Sequence, residues 1–400
     1  MKKSIFGYAN TTKAIAKSGG WDIYDDKFTS VSKDEFGNSL FPSSMFDEIK
    51  SSFEITTPGI SPNNHLIKKA KNLISEYDYF YNDMPFNVWI SGTNGKTTTT
   101  KMTQHLLQSF GSVMGGNVGV ALGDLDKNAK IWILETSSFT IHYTNKARPD
   151  IYILLPITPD HLSWHGSLKE YENAKLKPLS MMSENSVAIL PKKYANTKTL
   201  AHKIYYENET DLADFCRVKL EDISFKPPFL LDALLALCVQ KILIDFSDVE
   251  LLNRFVIEPN KLEEIVDNKG RIWVNDTKAT NIDACIQAVK RYKEHKIHLI
   301  LGGDDKGVDM NPVFKFLKGM DVVIYAIGSN TNKLIELSSQ FGLECKKCNF
   351  LQNAVKEINE NLKDDEIALL SPAAASLDQF KSYAHRGDEF KKFIKELNLL

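Results

Sequence analysis

Residues 88–98 run Val88-Trp89-Ile90-Ser91-Gly92-Thr93-Asn94-Gly95-Lys96-Thr97-Thr98, an apolar strand, a glycine-containing turn and the start of a helical stretch. The N–H groups of such a turn and of the helix N-terminus bind anions. In this arrangement Lys96 lies against the phosphates of a nucleotide and the Thr97 hydroxyl reaches a Mg²⁺ ion. The usual phosphate-binding motif has four residues between its two glycines, and here there are two. The strand–turn–helix context nevertheless predicts phosphate binding by residues 92–98.

Two polar side chains follow neighbouring predicted strands and are expected to converge on this turn. Glu135 closes the strand Ile131–Leu134, and His161 follows the strand Ile151–Leu155. Open parallel sheets bind ligands at the carboxyl ends of their strands. Oxygen ligands suit Mg²⁺ bound to a triphosphate. Taken alone, Glu135 is equally well explained as a surface carboxylate, and His161 is better explained as a loop imidazole. The phosphate turn is what favours a functional interpretation of both residues.

Short β-branched runs alternate with amphipathic stretches along the chain, which predicts an α/β fold with mostly parallel strands. Further strands are expected at 87–90, 271–274, 297–301 and 322–327, and helices at 61–75 and 229–244. Pro85 and Pro259 lie in the two segments that resemble domain junctions. We therefore expect three domains, 1–84, 85–257 and 258–400, of ordinary domain size.

Composition excludes several classes of protein. The 400 residues include 49 Lys and Arg and 51 Asp and Glu, a formal net charge of −2. No broad basic surface for nucleic acid or for a membrane is therefore expected. No apolar run is long enough to span a bilayer, and the first residues lack a signal peptide, so we expect a cytoplasmic protein. The five cysteines, including the lone pair Cys345 and Cys348, are too scattered for a disulfide framework.

The residues that carry chemistry resemble those of the Mur ligases of peptidoglycan synthesis. The resemblance extends over residues 7–387 and includes the phosphate turn. Its other motifs are Leu134-Glu135-Thr136-Ser137-Ser138-Phe139, Asp160-His161, Tyr171-Glu172-Asn173-Ala174-Lys175-Leu176-Lys177, Asn275-Asp276-Thr277-Lys278-Ala279-Thr280-Asn281, Gly302-Gly303-Asp304-Asp305-Lys306-Gly307 and Leu370-Ser371-Pro372-Ala373-Ala374-Ala375-Ser376-Leu377-Asp378-Gln379-Phe380. The last three motifs are similar to those of the members that add D-glutamate.

This resemblance implies an ATP-dependent ligase that joins D-glutamate to UDP-N-acetylmuramoyl-L-alanine by an amide bond. The family transfers the γ-phosphoryl group of ATP to the substrate carboxylate, and an amine then attacks the acyl phosphate. The implied architecture is a Rossmann-like UDP-binding domain, a central P-loop ATPase-type domain with a parallel sheet, and a Rossmann-like C-terminal domain that binds the amino acid. We expect a monomer that acts on these three small molecules.

The resemblance also implies roles for individual residues. The implied catalytic residues are Lys96, Glu135, His161 and Lys175. Two Mg²⁺ ions are expected, one next to ATP on Thr97 and Glu135 and one served by His161. Lys175 matches the lysine that the family carbamylates, a change that turns a cation into an anion able to hold Mg²⁺. A plain lysine on a helix surface is the alternative for that position.

The implied ligand contacts are distributed over all three domains. ATP contacts are expected at Gly92, Thr93, Asn94, Gly95, Lys96, Thr97, Thr98, Asp232, Lys261 and Asp276. Contacts with the UDP sugar are expected at Asn10, Thr11, Asp25, Gly59, Asn117, Ser137 and His161. D-Glutamate contacts are expected at Lys278, Thr280, Lys306, Ser376, Leu377 and Tyr383.

The chain departs from the family pattern on the adenine side. A glycine- and asparagine-containing motif is replaced by residues 225–232, which keep only Asp232 as a polar contact. A usual Pro-His-Arg is Pro259-Asn260-Lys261, so a flexible ammonium replaces a planar guanidinium. The segment between Lys198 and Phe225 is also short. We therefore expect an altered adenine pocket and a raised KM for ATP.

Three other functions share some of these motifs. Another Mur ligase or a folylpolyglutamate synthase has the phosphate turn and the lysine, but lacks the C-terminal motifs. A P-loop NTPase switch or kinase needs no amine-binding pocket built on Lys306 and Ser376. A catalytically inactive binding protein is disfavoured by the presence of all four implied catalytic residues.

Overall fold

The computed structural model describes residues 2–397 and has an α/β architecture built on three six-stranded sheets. The chain forms two compact units, the first ending at Phe255 and the second starting at Val256. The first unit contains two of the sheets and the second unit contains the third. The predicted α/β fold with mostly parallel strands is confirmed. In the described part of the chain, no helix combines the length and the apolar character needed to cross a bilayer.

The first sheet has the strand order β3-β4-β2-β1-β5-β6, and only the β3–β4 pair is antiparallel. Its strands are β1 (Lys2–Phe6), β2 (Trp21–Asp25), β3 (Ser32–Lys33), β4 (Ser39–Pro42), β5 (Ser51–Thr56) and β6 (Leu73–Ile74). The accompanying helices are α1 (Asn10–Ala16), α2 (His65–Lys69) and α3 (Glu76–Phe80).

The helix predicted over 61–75 is wrong beyond one short turn. The Asn64 side chain caps α2 by accepting a hydrogen bond from the Leu66 N–H. The helix ends at Lys69, and the chain then returns to the sheet edge as β6. Asn72 directs that return, because its N–H donates to the Glu54 carboxylate at 2.9 Å.

The second sheet is parallel throughout, with the order β12-β11-β10-β7-β9-β8. Its strands are β7 (Phe86–Ser91), β8 (Ser112–Gly116), β9 (Ile131–Glu135), β10 (Ile151–Leu154), β11 (Val187–Pro191) and β12 (His202–Tyr206). Its helices are α4 (Lys96–Leu107), α5 (Ser138–Tyr143), α6 (Leu162–His165), α7 (Leu168–Met181), α8 (Glu209–Cys216), α9 (Phe229–Ile244) and α10 (Val249–Asn253).

Helix α9 matches the predicted helix over 229–244. Residues 233–239 are apolar on every side and all are buried, which is the pattern of a helix inside a core. The helix packs against α4 and α8. One buried apolar cluster includes Ile5 and Trp21 of the first sheet together with Trp89 and Trp132 of the second. The two sheets therefore share a core within the first unit.

The third sheet has the order β13-β14-β18-β15-β16-β17, with only β13 antiparallel to its neighbour. Its strands are β13 (Glu263–Val266), β14 (Ile272–Asn275), β15 (Ile297–Gly302), β16 (Val322–Ile327), β17 (Glu344–Asn349) and β18 (Ile367–Leu370). Its helices are α11 (Ile282–Arg291), α12 (Asn311–Leu317), α13 (Thr331–Phe341), α14 (Leu351–Asn361) and α15 (Tyr383–Glu396).

A buried arginine fastens the β13–β14 hairpin to the end of α14. The Arg271 guanidinium donates to the Asp267 carboxylate at 2.9 Å, to the Asn359 side-chain oxygen at 2.7 Å and to the Leu362 carbonyl at 3.2 Å. The side chains of Arg271 and Asp267 are 4% and 0% exposed. A buried ion pair is strongly destabilised when one partner is removed, because the other charge stays behind.

We predict that Arg271→Ala lowers the free energy of unfolding of the second unit by about 3–5 kcal/mol. Lys392→Ala is the matched control, because Lys392 pairs with Glu389 on the surface of the same unit and its side chain is 56% exposed. Its effect should stay within about 0.5 kcal/mol. Urea unfolding of both variants measures the difference, and equal losses would contradict the assignment.

Candidate active site

The phosphate turn lies between the end of β7 at Ser91 and the start of α4 at Lys96. Gly92 and Gly95 both have positive φ, 142° and 84°, which favours glycine. A Cβ on Gly92 would lie 2.4 Å from the Cβ of Leu155, so the turn packs directly on the chain that leaves β10. Lys96 Nζ donates to the Thr93 carbonyl at 2.6 Å. The predicted strand–turn–helix is confirmed.

Thr93 connects the phosphate turn to two neighbouring segments through hydrogen bonds. Its N–H donates to the Pro156 carbonyl at 3.1 Å, and its hydroxyl donates to the Thr158 carbonyl at 3.0 Å. The same hydroxyl lies 3.1 Å from the Tyr171 hydroxyl of α7. Sequence analysis gave Tyr171 no role of its own, although it stands in the motif that contains Lys175.

A buried carboxylate stands beside the first turn of α4. Glu135, 3% exposed, ends β9. One of its oxygens accepts a hydrogen bond from the Thr97 hydroxyl at 2.6 Å, and the other accepts from the Asn117 amide at 2.7 Å. Three residues from separate parts of the sequence are thus brought together at the carboxyl edge of the second sheet.

Lys175 lies under the phosphate turn and is 1% exposed. Its Nζ donates to the Gly92 carbonyl at 2.7 Å and lies 4.7 Å from the centre of the Tyr171 ring. Burial, and next the charge of Lys96, hold the pKa of the Lys175 ammonium well below its usual value. The alternative of a plain surface lysine is therefore wrong.

His161 lies at the outer edge of this group. Its backbone is in the left-handed region with φ 52°, its side chain is 48% exposed, and its Nε2 is 3.6 Å from an Asp160 carboxylate oxygen. The ring packs edge-on against Phe139 with 4.8 Å between centres. The imidazole is therefore held by neighbours on one side and accessible on the other.

The donor set at this edge suits Mg²⁺ in part. No cluster of three or more His, Cys, Asp or Glu side chains with the geometry of a metal site occurs among residues 2–397. Mg²⁺ in nucleotide sites, however, needs one or two protein oxygens besides phosphates and water. The Thr97 hydroxyl and the Glu135 carboxylate supply such oxygens side by side. The Lys175 ammonium does not fit a metal unless it is converted to an anion.

Asp232, which we expected to be a polar contact on the adenine side, is buried next to α4 and the phosphate turn. The side chain is 4% exposed, and its Oδ1 accepts a hydrogen bond from the Thr99 hydroxyl at 3.0 Å. A Cβ on Gly95 would lie 2.3 Å from the same oxygen. Asp232 lies on α9 and therefore connects this helix to α4 and to the phosphate turn. Its contact with ATP stays a prediction.

The predicted UDP-sugar residues of the first sheet lie around the ends of β1, β2 and β5. The Asp25 carboxylate accepts hydrogen bonds from the Tyr8 N–H at 2.7 Å and the Lys27 N–H at 2.9 Å. Asn10 and Thr11 begin α1, with Asn10 exposed. A Cβ on Gly59 would meet no atom within 4 Å, so the space in front of this glycine is open.

Ser137 and Asn117 come from the second sheet. The Ser137 hydroxyl caps α5 by accepting from the Thr140 N–H at 3.0 Å. The Asn117 side chain is exposed apart from its bond to Glu135. Their contacts with a substrate stay predictions.

The predicted D-glutamate residues follow three adjacent parallel strands of the second unit. Thr280 follows β14, Lys306 follows β15 and Ser376 follows β18. Thr280 and Lys306 are exposed, whereas Ser376 is 3% exposed. The carboxyl ends of these strands meet at one edge, where α/β sheets bind ligands.

Lys278 and Tyr383 touch each other in the same unit. The Lys278 ammonium lies 4.1 Å from the centre of the Tyr383 ring and donates to its hydroxyl at 3.0 Å. Leu377 presents a side chain that is 69% exposed. Contacts of these three residues with D-glutamate stay predictions.

Asp276 and Lys261 lie further inside this unit. Asp276 is 7% exposed and accepts from the Ser371 hydroxyl at 2.8 Å. Burial raises the pKa of its carboxyl group to about 7. Lys261 Nζ lies 3.2 Å from a Glu258 oxygen. Contacts of both residues with ATP stay predictions.

Arg386, which was not predicted from the sequence, joins two segments that contain predicted D-glutamate residues. Its guanidinium, 1% exposed, donates to the Thr277 and Ala374 carbonyls at 3.1 Å each. The signal in the sequence was an arginine among the apolar positions of a helix, and its partners lie far away in the chain.

Comparison with known proteins identifies the family. Residues 90–215 match the Mur ligase middle domain. The chain is 57% identical to UDP-N-acetylmuramoylalanine–D-glutamate ligase of Campylobacter jejuni, over 99% of this chain and 100% of the relative. It is 44% identical to the enzyme of the same name from Helicobacter pylori, over 98% and 99% of the two chains.

The chain belongs to the UDP-N-acetylmuramoylalanine–D-glutamate ligase family. The resemblance drawn from the motifs is thereby confirmed. Among solved structures, this D-glutamate ligase family member is similar in fold to the MurF ligase of Thermotoga maritima in complex with ADP, with a TM-score of 0.59, 18% identity and coverage of 87% and 89%. It is also similar to E. coli FolC in complex with DHPP and ADP, with a TM-score of 0.58, 16% identity and coverage of 80% and 91%.

In this member of the D-glutamate ligase family, a partly buried histidine packs beside His161. His165 Nε2 lies 3.0 Å from the Ser138 hydroxyl, and its ring stacks on Phe139. Burial, followed by the neighbouring charges, lowers the pKa of His165 from 6.5 to about 4. The unfolded chain therefore binds a proton at this residue between those pH values while the folded chain does not.

We predict that His165 makes this ligase less stable as the pH falls from about 6.5 to about 4, because protons then favour the unfolded chain. His165→Gln should flatten the fall of the unfolding free energy over that window. His202→Gln, at an exposed position of β12, should keep the wild-type slope. Denaturant unfolding at pH 7.5, 6 and 5 measures both, and equal slopes for His165→Gln and wild type would contradict the prediction.

Proposed function

We propose that this chain catalyses the ATP-dependent joining of D-glutamate to UDP-N-acetylmuramoyl-L-alanine, with release of ADP and phosphate, in cytoplasmic synthesis of peptidoglycan precursors. The observation that carries the proposal is one edge of the second sheet, where the phosphate turn, the Thr97–Glu135 pair and the buried Lys175 meet. This edge occurs in a chain 57% identical over nearly its whole length to a relative with that name.

The chemistry explains why a nucleotide site is needed. An ionised carboxylate is a poor acylating agent, so its oxygen first takes the γ-phosphoryl group of ATP and ADP leaves. The D-glutamate amine then attacks the acyl carbon, phosphate departs and the amine loses a proton. Positioning and neutralisation of developing charge are the protein's main contribution to phosphoryl transfer. The Lys96 ammonium and the N–H groups of the turn supply that positive field.

Residues at the same edge would hold two Mg²⁺ ions. The Thr97 hydroxyl and the Glu135 carboxylate would hold the ion next to ATP, and His161 with a modified Lys175 would hold the second. Bound Mg²⁺ neutralises the charge of the phosphate oxygens. Asn117 keeps the Glu135 carboxylate oriented through its hydrogen bond of 2.7 Å.

Roles for the three ranges follow from the positions of their polar residues. Residues 1–84 would bind the UDP sugar, 85–257 would bind ATP and 258–400 would bind D-glutamate. The open space at Gly59 supports close approach of the nucleotide. The exposed Lys306 and the Lys278–Tyr383 pair support binding of a dicarboxylate. The monomeric state and the raised KM for ATP stay predictions.

We predict that ATP turnover in the presence of UDP-N-acetylmuramoyl-L-alanine depends on D-glutamate. Phosphate release is measured with D-glutamate, L-glutamate or meso-diaminopimelate, and mass spectrometry follows the amide product. Release with D-glutamate alone, together with the expected product, supports the proposal. Release driven by another amino acid would assign the chain to a sister reaction, and no stimulation by any of them would reject a ligase function.

The surroundings of Lys175 support its carbamylation. A lysine reacts with CO₂ only as the neutral amine, which forms a carbamate and releases a proton. Burial and the charge of Lys96 favour that neutral form, since they lower the pKa of Lys175. The carbamate would also place an anion between Lys96 and the predicted metal site.

We predict one protein carbamate after equilibration with ¹³C-bicarbonate, detected by ¹³C NMR. The signal should be absent in Lys175→Met and present in the control Lys177→Met, whose lysine is partly exposed two residues away. Lys175→Met should also lower kcat by about 10²–10³, the usual loss when a group that stabilises charge is removed. A carbamate signal that survives in Lys175→Met would contradict the assignment.

A further inference from the structure

The turn after β5 is held by two side chains from another part of the first unit. We define the β5 turn as residues 57–60. The Trp164 indole N–H donates to the Gly59 carbonyl at 3.3 Å. The Tyr143 hydroxyl donates to the adjacent Ile60 carbonyl at 2.7 Å. The carbonyl groups of two consecutive residues are therefore fixed by hydrogen bonds, while the space where a Gly59 Cβ would stand is open.

Trp164 is also the centre of a cluster of rings. Its ring centre lies 4.5 Å from both Phe139 and His165, and 5.2 Å from His142. Phe139 in turn packs against His161 with 4.8 Å between centres. Ring contacts at these distances contribute beyond the burial of area. A continuous set of packed rings therefore joins the β5 turn to His161.

The short helix α6 depends on this packing for its position. Trp164 lies on α6, which has only four residues and begins directly after His161. A helix of that length has little stability of its own. The ring contacts and the bond to Gly59 therefore fix the place of α6, and with it the backbone of His161.

From this geometry we infer that Trp164 and Tyr143 are positioning residues for the nucleotide-sugar substrate. They set the separation between the β5 turn, which contains the predicted UDP-sugar contact Gly59, and His161, the predicted contact for the same substrate and for a second Mg²⁺ ion. This inference rests on the proposed function. A bound substrate that is misplaced by about 1 Å reacts much more slowly, so the pair affects the binding and reaction of this substrate specifically.

The test compares Trp164→Phe and Tyr143→Phe with Tyr205→Phe. Each of the first two variants keeps an aromatic ring and removes one donor to the β5 turn. Tyr205 is the matched control, because its hydroxyl also donates to a backbone carbonyl, that of Ala195 at 3.2 Å, but on the edge strand β12.

We predict that each of the first two variants raises the KM for UDP-N-acetylmuramoyl-L-alanine up to about fivefold, because the substrate must then restore a turn position that one hydrogen bond held before. The Kd of the same substrate, measured by calorimetry without ATP, should rise equally. The KM values for ATP and D-glutamate should stay at wild-type values, and the melting temperature should fall by no more than the few degrees expected for the loss of one hydrogen bond. Tyr205→Phe should match the wild type in every measurement.

Two results would overturn the inference. One is an unchanged KM and Kd for the nucleotide-sugar substrate in both variants while the wild type makes the amide product. The other is a parallel rise of all three KM values, which indicates a purely structural role. Failure of the proposed function looks different, because then the wild type itself makes no D-glutamate product.

Discussion

The hydrogen bond from Lys175 Nζ to the Gly92 carbonyl, 2.7 Å long, is the contact on which the candidate active site at the carboxyl edge of the second sheet depends. It places a lysine side chain, 1% exposed, directly beneath the turn that we predict to bind phosphates. Lys96 donates to the neighbouring Thr93 carbonyl, so two lysines support one turn. Burying an ammonium with no carboxylate in contact is costly. The neutral amine relieves this cost, and it is also the form that reacts with CO₂ in the proposed carbamylation.

Other contacts within the first unit fix the conformation of the phosphate turn and the position of α4. Gly92 and Gly95 let the chain turn tightly against Leu155 and Asp232. The hydrogen bond between Asp232 and Thr99 joins α9 to α4. The apolar side chains that follow Asp232 in α9 are buried in the core. Packing of this kind fixes the donors before substrate arrives, which is what electrostatic stabilisation of a transition state requires.

Local motifs in the sequence predicted the strand, turn and helix around residues 88–98 and the place of Glu135 at a strand end. The functional role of Lys175 stays a prediction, although its burial excludes a plain surface lysine. The helix predicted over 229–244 is present as α9. The helix over 61–75 was wrong because a contact between Asn72 and Glu54, 18 residues apart, draws the chain into a strand. Trp164 was missed for a similar reason, since its partner Gly59 is 105 residues away. Contacts between distant residues leave no periodic pattern, so sequence alone does not predict them.

The measurement that tests the central claim most directly follows oxygen from substrate to phosphate. UDP-N-acetylmuramoyl-L-alanine labelled with ¹⁸O in its carboxylate is turned over with ATP and D-glutamate, and the released phosphate is analysed by mass spectrometry. An acyl phosphate formed at the Lys96 turn predicts one ¹⁸O atom in each phosphate released. Phosphate that carries no ¹⁸O would mean that ATP is hydrolysed by water, and would contradict carboxylate activation at this site.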